Sequence, residues 1–118
     1  MKSLTYEGKI AVLRILYDII LADKKIDGRE TKLFGEVSRS LGIESITAEE
    51  VLVQSPLLSL AIIKDFATED KLEFAKLMGK MIVVDRDINY NEVKLYSLVT
   101  EFCGIDCEFK KEDYPEFV

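Results

Sequence analysis

The chain has 118 residues, 48% hydrophobic and 32% charged, with a formal net charge of −6 and no histidine. That is enough apolar material for one domain with a core of its own, independent of disulfide or metal staples. The acidic balance excludes phosphate backbones and anionic lipid surfaces as partners, since both require basic clusters.

In chain order, Tyr6 to Ala22 places apolar residues in nearly every direction of a helix, with Arg14 and Asp18 as the one polar strip, so this helix is expected to be central. Those two charges also interrupt the most apolar stretch, Ile10 to Ala22, before it reaches the roughly 18 residues of a membrane span. A soluble cytoplasmic protein without membrane insertion is expected. A one-sided helix follows, carrying Leu33, Phe34, Val37 and Leu41 and ending at Gly42-Ile43, a left-handed cap with its hydrophobic contact. Thr47-Ala-Glu-Glu50 reads as a capping box opening a short helix to about Val53. Ser55-Pro56 puts proline at the first position of a helix from Leu57 to Asp65. Thr68 starts a second core helix through Val84, with Glu73, Lys76 and Lys80 as its water-facing line and Leu72, Ala75, Leu77, Met78, Met81, Ile82 and Val84 turned inward. A last one-sided helix carries Leu95, Tyr96, Val99 and Cys103 and ends at Gly104-Ile105. Phe109, Tyr114 and Phe117 in the tail, residues 106–118, are expected to pack back on the core. No segment alternates at period two, so the fold class is all-α: a compact bundle of about six helices in a single domain.

The chain repeats itself. Asp23-Lys-Lys-Ile-Asp-Gly-Arg-Glu30 returns as Asp85-Arg-Asp-Ile-Asn-Tyr-Asn-Glu92, and Leu16 to Ile43 shares nine identities with Met78 to Ile105, where chance gives roughly two. Each copy is a helical hairpin with an acidic turn. Asp27 and Asn89 stand at N-cap positions with Glu30 and Glu92 three residues on, so each copy can form a reciprocal capping box, and Ile26 and Ile88 suit a hydrophobic staple. Asp23 and Asp85 fall at the carboxyl ends of core helices, where a negative charge opposes the macrodipole by roughly 0.3 to 1 kcal/mol. Hydrogen bonds from turn amides, or from the N-terminus of the next helix, would offset that and lock the hairpin.

The competing reading is a cation held by the turns, because Asp85, Asp87, Asn89, Asn91 and Glu92 concentrate oxygen ligands of the kind calcium requires. An EF-hand is excluded: Lys25 and Phe34 fall at the third and twelfth positions of a loop begun at Asp23, and Tyr90 and Tyr96 where glycine and the bidentate glutamate belong in the second copy. Cys103 and Cys107, without histidine, cannot complete a zinc site and read as ordinary reduced thiols.

Ala22-Asp23-x-x-Ile26-x-x-x-Glu30, following an apolar helix and leading into a helix that ends Leu-Gly-Ile, resembles the TerB-like domains of tellurite resistance and stress response; Asp85-x-x-Ile88-x-x-x-Glu92 resembles them again. The resemblance covers about residues 6–105. It implies a compact all-α bundle of two related hairpins, a role in stress-associated assemblies, and divalent-cation binding by the acidic turns rather than catalysis. The family pattern has glycine directly after the aspartate, where this chain has Lys24 and Arg86; a non-glycine residue there loses roughly 1 kcal/mol in a left-handed turn or uses another turn. Some relatives carry a J-domain, which needs a His-Pro-Asp tripeptide that a chain without histidine cannot supply.

No catalytic constellation is visible: serines sit in no nucleophile elbow and no glycine loop cradles phosphate. The expectation is therefore a non-enzymatic helical module whose acidic surface engages a protein partner, with room for a homo-oligomeric contact. The alternative is a divalent-cation binding or sensing protein, for calcium or a similar ion, using Asp23, Asp27, Glu30, Asp85, Asp87, Asn89 and Glu92. For Asp27, Glu30, Asn89 and Glu92, structural capping is the first reading.

Overall fold

A computed structural model describes the chain except residues 2, 24, 44–47 and 118, so Lys24 and the expected N-cap Thr47 lie outside the described residues. Six α-helices run in order: α1 Tyr6–Ala22, α2 Gly28–Ser40, α3 Ala48–Leu52, α4 Pro56–Lys64, α5 Thr68–Val83 and α6 Tyr90–Cys103; two single-turn 3-10 helices, Lys111–Asp113 and Pro115–Phe117, follow. No strand is present among the described residues, and the repeated hairpins are α1–α2 and α5–α6.

α1 is the central rod. It packs against every other α-helix, which is why its apolar residues cover nearly its whole circumference: Ala11, Val12, Leu13, Ile15, Leu16, Ile19 and Ile20 are all buried. Each large aliphatic side chain so buried contributes about 1.5–3 kcal/mol. Arg14 and Asp18 form the expected i,i+4 pair at 3.1 Å, and Arg14 also donates to the Leu52 carbonyl at 2.9 Å, tying α1 to the end of α3. In α5 the inward set is Phe74, Ala75, Met78, Met81, Ile82 and Val83. Leu72, expected inside, is exposed, because the burial of Phe74 turns the first turn of α5 the other way.

The ends of the helices follow local chemistry. Thr5, Asp27, Ser55 and Asn89 cap α1, α2, α4 and α6 with their side chains, whereas α5 starts after Ala67 without a side-chain cap. Gly42 (φ 78°) and Gly104 (φ 68°) take the left-handed conformation, and the amides of Ile43 and Ile105 donate to the carbonyls of Ser38 (3.0 Å) and Thr100 (2.8 Å), closing two Schellman caps.

The two halves differ where the tail arrives. In the first hairpin Tyr17 meets Phe34 edge-on at 5.6 Å. At the equivalent positions of the second hairpin stand Gly79 and Tyr96, and the aromatic partner comes from the tail: Phe109 meets Tyr96 edge-on at 5.8 Å and stacks on Tyr114 at 6.3 Å. The Tyr114 ring lies against the bare backbone of Gly79, where any Cβ would overlap it, and its hydroxyl donates to the Lys76 carbonyl at 3.3 Å. The tail therefore packs on the core as the sequence indicates. Gly79→Ala should destabilise the chain by roughly 1–3 kcal/mol through overpacking, and a urea melt with limited proteolysis should show the tail cut faster than in the parent.

The second turn uses a strained residue. Arg86 is the one described non-glycine residue with positive φ, at 61°, so the arginine does take the left-handed turn that a glycine would take freely. Arg86→Gly should raise stability by about 1 kcal/mol by removing that strain, read as a higher urea midpoint with unchanged slope.

Candidate functional site

The acidic turns of both hairpins meet at one end of the bundle. Asp23, at the C-terminus of α1, accepts a hydrogen bond at 2.7 Å from the side-chain amide of Asn89, the N-cap of α6. Asp85 accepts from the amide of Asp87 at 3.0 Å, within its own turn. Asp85 thus locks its own turn as expected, whereas Asp23 ties its hairpin to the other one by bonding Asn89 rather than an amide of its own turn or of α2 among the described residues. Asp27 caps α2 by accepting from the Arg29 amide at 2.8 Å, and the Arg29 guanidinium grips the same carboxylate with Nε at 3.0 Å and Nη2 at 3.1 Å. This contact holds the Asp27 carboxyl below the usual range.

Beneath the turns, Glu30 and Glu92 have no solvent exposure. Glu30 completes the expected capping box, its Oε1 accepting from the Asp27 amide at 3.1 Å, yet its Oε2 meets no donor. In the second copy the box is only half formed. Asn89 accepts from the Asn91 amide at 2.8 Å, but neither oxygen of Glu92 has a hydrogen-bond partner; the Asn89 amide acts on it weakly, without the geometry of a bond. Three buried carboxylate oxygens without donors are costly, and such a group is stabilised either by a proton or by a cation.

The electrostatics agree. Burial, then the charges of Asp85, Asp23 and Asp27, push Glu30 up to about 7 against the relief given by the Asp27 amide. Burial, then Glu30, Asp85 and Asp23, push Glu92 up to about 8. Asp85 is raised by burial and by Asp27, Asp87 and Asp23, despite the Asp87 amide. Glu30, Glu92 and Asp85 are thus each raised by burial and by acids drawn from both hairpins.

Above them lies an open pocket of about 340 Å³ lined by Asp23, Asp27, Asp85 and Asp87, with Lys25, Ile26 and Arg29. Of the seven candidate residues, four line this pocket, Glu30 and Glu92 lie buried within their electrostatic reach, and Asn89 holds Asp23. Among the described residues, no three acidic or cysteine side chains are disposed to hold a bare metal ion by themselves.

The residues expected as hydrophobic staples are largely exposed, Ile26 at 59% and Ile88 at 42%. At the position that would receive Ile26 stands Thr31, which offers no apolar contact. Sequence reasoning also passed over Arg29. Its signal was its place two residues after the N-cap aspartate, where a guanidinium can fold back onto the carboxylate it follows. Cys103 and Cys107 are both free thiols; Cys103 is buried on α6 and Cys107 bonds the Tyr96 hydroxyl at 3.1 Å, both away from the acidic turns.

No protein-family model and no curated protein matches the chain. It is similar to the crystal structure of a protein of unknown function from Porphyromonas gingivalis W83, at 21% identity over 98% of each chain with a TM-score of 0.75. At that identity the likeness bears on the fold alone.

The raised carboxyls give the pH dependence its sign. Folded Glu30 and Glu92 hold protons that the unfolded chain releases near 4.5, so their stabilisation is complete below that pH and is lost as pH rises through about 7 and 8. In EDTA, stability should fall by an amount on the order of a few kcal/mol between pH 5 and pH 8.5. Glu92→Gln, neutral throughout, should flatten the fall and exceed the parent in stability at pH 8.5; urea melts at the two pH values check both.

Proposed function

We propose that this chain is a non-enzymatic, TerB-like helical module whose paired acidic turns bind a hard divalent cation. One observation carries the reading: two glutamates from equivalent positions are buried side by side in electrostatic terms, with three oxygens lacking donors, under a pocket lined by four aspartates. Protons neutralise that cluster at low pH; near neutral pH a cation can replace them. Because no three carboxylates converge as they stand, the ion best suited keeps much of its water and takes one or two carboxylates directly, as Mg²⁺ does. Calcium, which takes six to eight oxygens, would need the turns to close further. The pocket has room for a hydrated ion, and its aspartates are in reach of such water.

A second reading, a module that engages a protein partner, is favoured by apolar side chains standing in solvent: Val53, Leu57 and Leu58 around the start of α4, and Leu98 and Phe102 on α6. The two readings are compatible, with the cation setting the charge of one end of the bundle and the apolar faces lying on its flank. A stress-associated setting rests on the TerB-like resemblance alone.

Thermal denaturation at pH 8 in EDTA, then with millimolar Mg²⁺, Mn²⁺ or Ca²⁺, tests the cation reading. A ligand of the folded state present at one hundred times its Kd adds about 2.7 kcal/mol, which corresponds to roughly 10 °C for a chain of this size. The shift should vanish in Asp85→Asn, which lines the pocket, and shrink in Glu92→Gln, which acts on it only through charge. If no cation moves the midpoint, or if both variants shift as the parent does, the cluster is a proton store and the reading fails.

A further inference from the structure

The wall formed by Arg29 has a second side. Between α2 and the end of α5 lies an open pocket of about 440 Å³ whose charged lining is Arg29, Lys32, Lys80 and Arg86 against the single acid Glu36. The chain as a whole carries −6, so this concentration of cations is a local reversal of sign. Arg29 is committed to Asp27 through two bonds. Among the described residues Arg86 makes one long bond, 3.5 Å, to the carbonyl of Glu116, and Lys32 and Lys80 have no hydrogen bond or ion pair. Three uncommitted cations facing one glutamate leave a surplus of about two charges, which suits a dianion.

The rest of the lining is apolar. Leu33, Val84 and Phe117 form its greasy side, and a neighbouring hollow of about 270 Å³, lined in addition by Val83, Ile88 and Lys111, shares Phe117 and Arg86. This is where the exposed face of Ile88 goes. Arg86 keeps its left-handed backbone although a glycine would sit there freely, and a strained residue whose side chain reaches a pocket is a candidate for use there. A volume of this size lies within the range of small-molecule sites, which combine apolar walls with a few polar anchors. Lysines serve as point charges for phosphate and arginine adds directed donors.

We propose that this pocket binds a small phosphate monoester carrying an apolar, ring-sized body, its phosphate held by Lys32, Lys80 and Arg86 and its body resting on Leu33, Val84 and Phe117. A nucleic acid is disfavoured because the cations form one short cluster in an acidic surface rather than a track. The site is separate from the cation reading, although Arg29 borders both.

Phenyl phosphate, inorganic phosphate and phenol are the probes, titrated into ¹⁵N-labelled full chain in EDTA and followed by amide shifts. Phenyl phosphate should give saturable one-to-one shifts confined to α2, the end of α5 and the tail. Inorganic phosphate should bind at least about tenfold more weakly, and phenol should not saturate. Lys32→Gln with Lys80→Gln should weaken phenyl phosphate by about tenfold or more, and Glu36→Gln should tighten it. Both alter uncommitted surface side chains and should leave the amide spectrum folded. Arg86→Gly, a relief of backbone strain, should weaken binding without loss of stability. Absence of saturation by phenyl phosphate, equal binding of inorganic phosphate, or indifference to the double lysine change would each overturn the proposal.

Discussion

The structure turns on a consequence of duplication: where two copies of one hairpin meet, each acidic position meets the acids of the other copy. Glu92 feels the charge of Glu30, and Asp23 and Asp85 act on both. In a contact between related halves, a favourable pair in one direction implies the equivalent pair in the other. Asp23 accepts from Asn89; the equivalent pairing is Asp85 with Asp27, two acceptors with no proton between them. The chain departs from its own repeat at this point. Arg29, which occupies the place of Asn91 in the second copy, grips Asp27 and feels Asp85, so that one guanidinium supplies the positive charge an asparagine cannot.

The hydrophobic architecture keeps these like charges in place. α1 is largely buried from Ile10 to Ile20 and contacts every other helix, so Asp23 just beyond has little freedom to withdraw. Asp85 ends α5, whose inner face of Phe74, Met78, Met81 and Ile82 is equally buried. Two rigid rods therefore deliver two carboxylates, and the caps of α2 and α6 deliver two more residues to the same spot. The glutamates three residues into those helices are carried inside because the same turns that expose Arg29 and Asn91 point Glu30 and Glu92 at the core. Their desolvation is a product of helix packing; the raised carboxyl affinity for protons follows from it.

Much of the fold was legible because the signals were local. Helix ends at Asp27, Ser55, Asn89, Gly42 and Gly104 depend on residues within one turn of each other, and the sequence placed them correctly. The pairing of Arg14 with Asp18 is likewise a matter of helical spacing. What escaped was set by tertiary contact. Asp27 and Asn89 share a capping role, but only the packing of one hairpin on the other decides that Asn89 also reaches Asp23. The capping pattern at Asn89-Tyr-Asn-Glu92 is intact in sequence, yet Glu92 leaves both oxygens unbonded. Ile26 looked like a staple by position and stands largely in solvent, while the part of Ile88 that stays exposed lines a hollow beside the tail. Nothing local marks Gly79 on its core helix; only the fold of the tail explains it, since Tyr114 lies against its backbone at the position equivalent to Tyr17 in the first hairpin. The seven acidic-turn residues were nominated together and do gather at one end, with the two glutamates buried rather than presented at the pocket.

Protons, the proposed metal ion and Arg29 would be three sources of positive charge for the same set of lone pairs, and their differences decide which lone pairs each could reach. A proton needs no room, so it serves Glu92, sealed from water with both oxygens bare. A hydrated ion needs volume, so under the proposed reading it would be restricted to the open pocket among the aspartates and would act on the glutamates through charge rather than contact. Arg29 needs a planar pair of acceptors and finds it on Asp27. The three are therefore not interchangeable: whatever neutralises the aspartates lowers the field that raises Glu30 and Glu92, and so loosens their protons. A cation arriving above should expel protons from below, by reciprocal linkage, while the guanidinium between the acidic and basic pockets keeps the two signs of charge a single side chain apart.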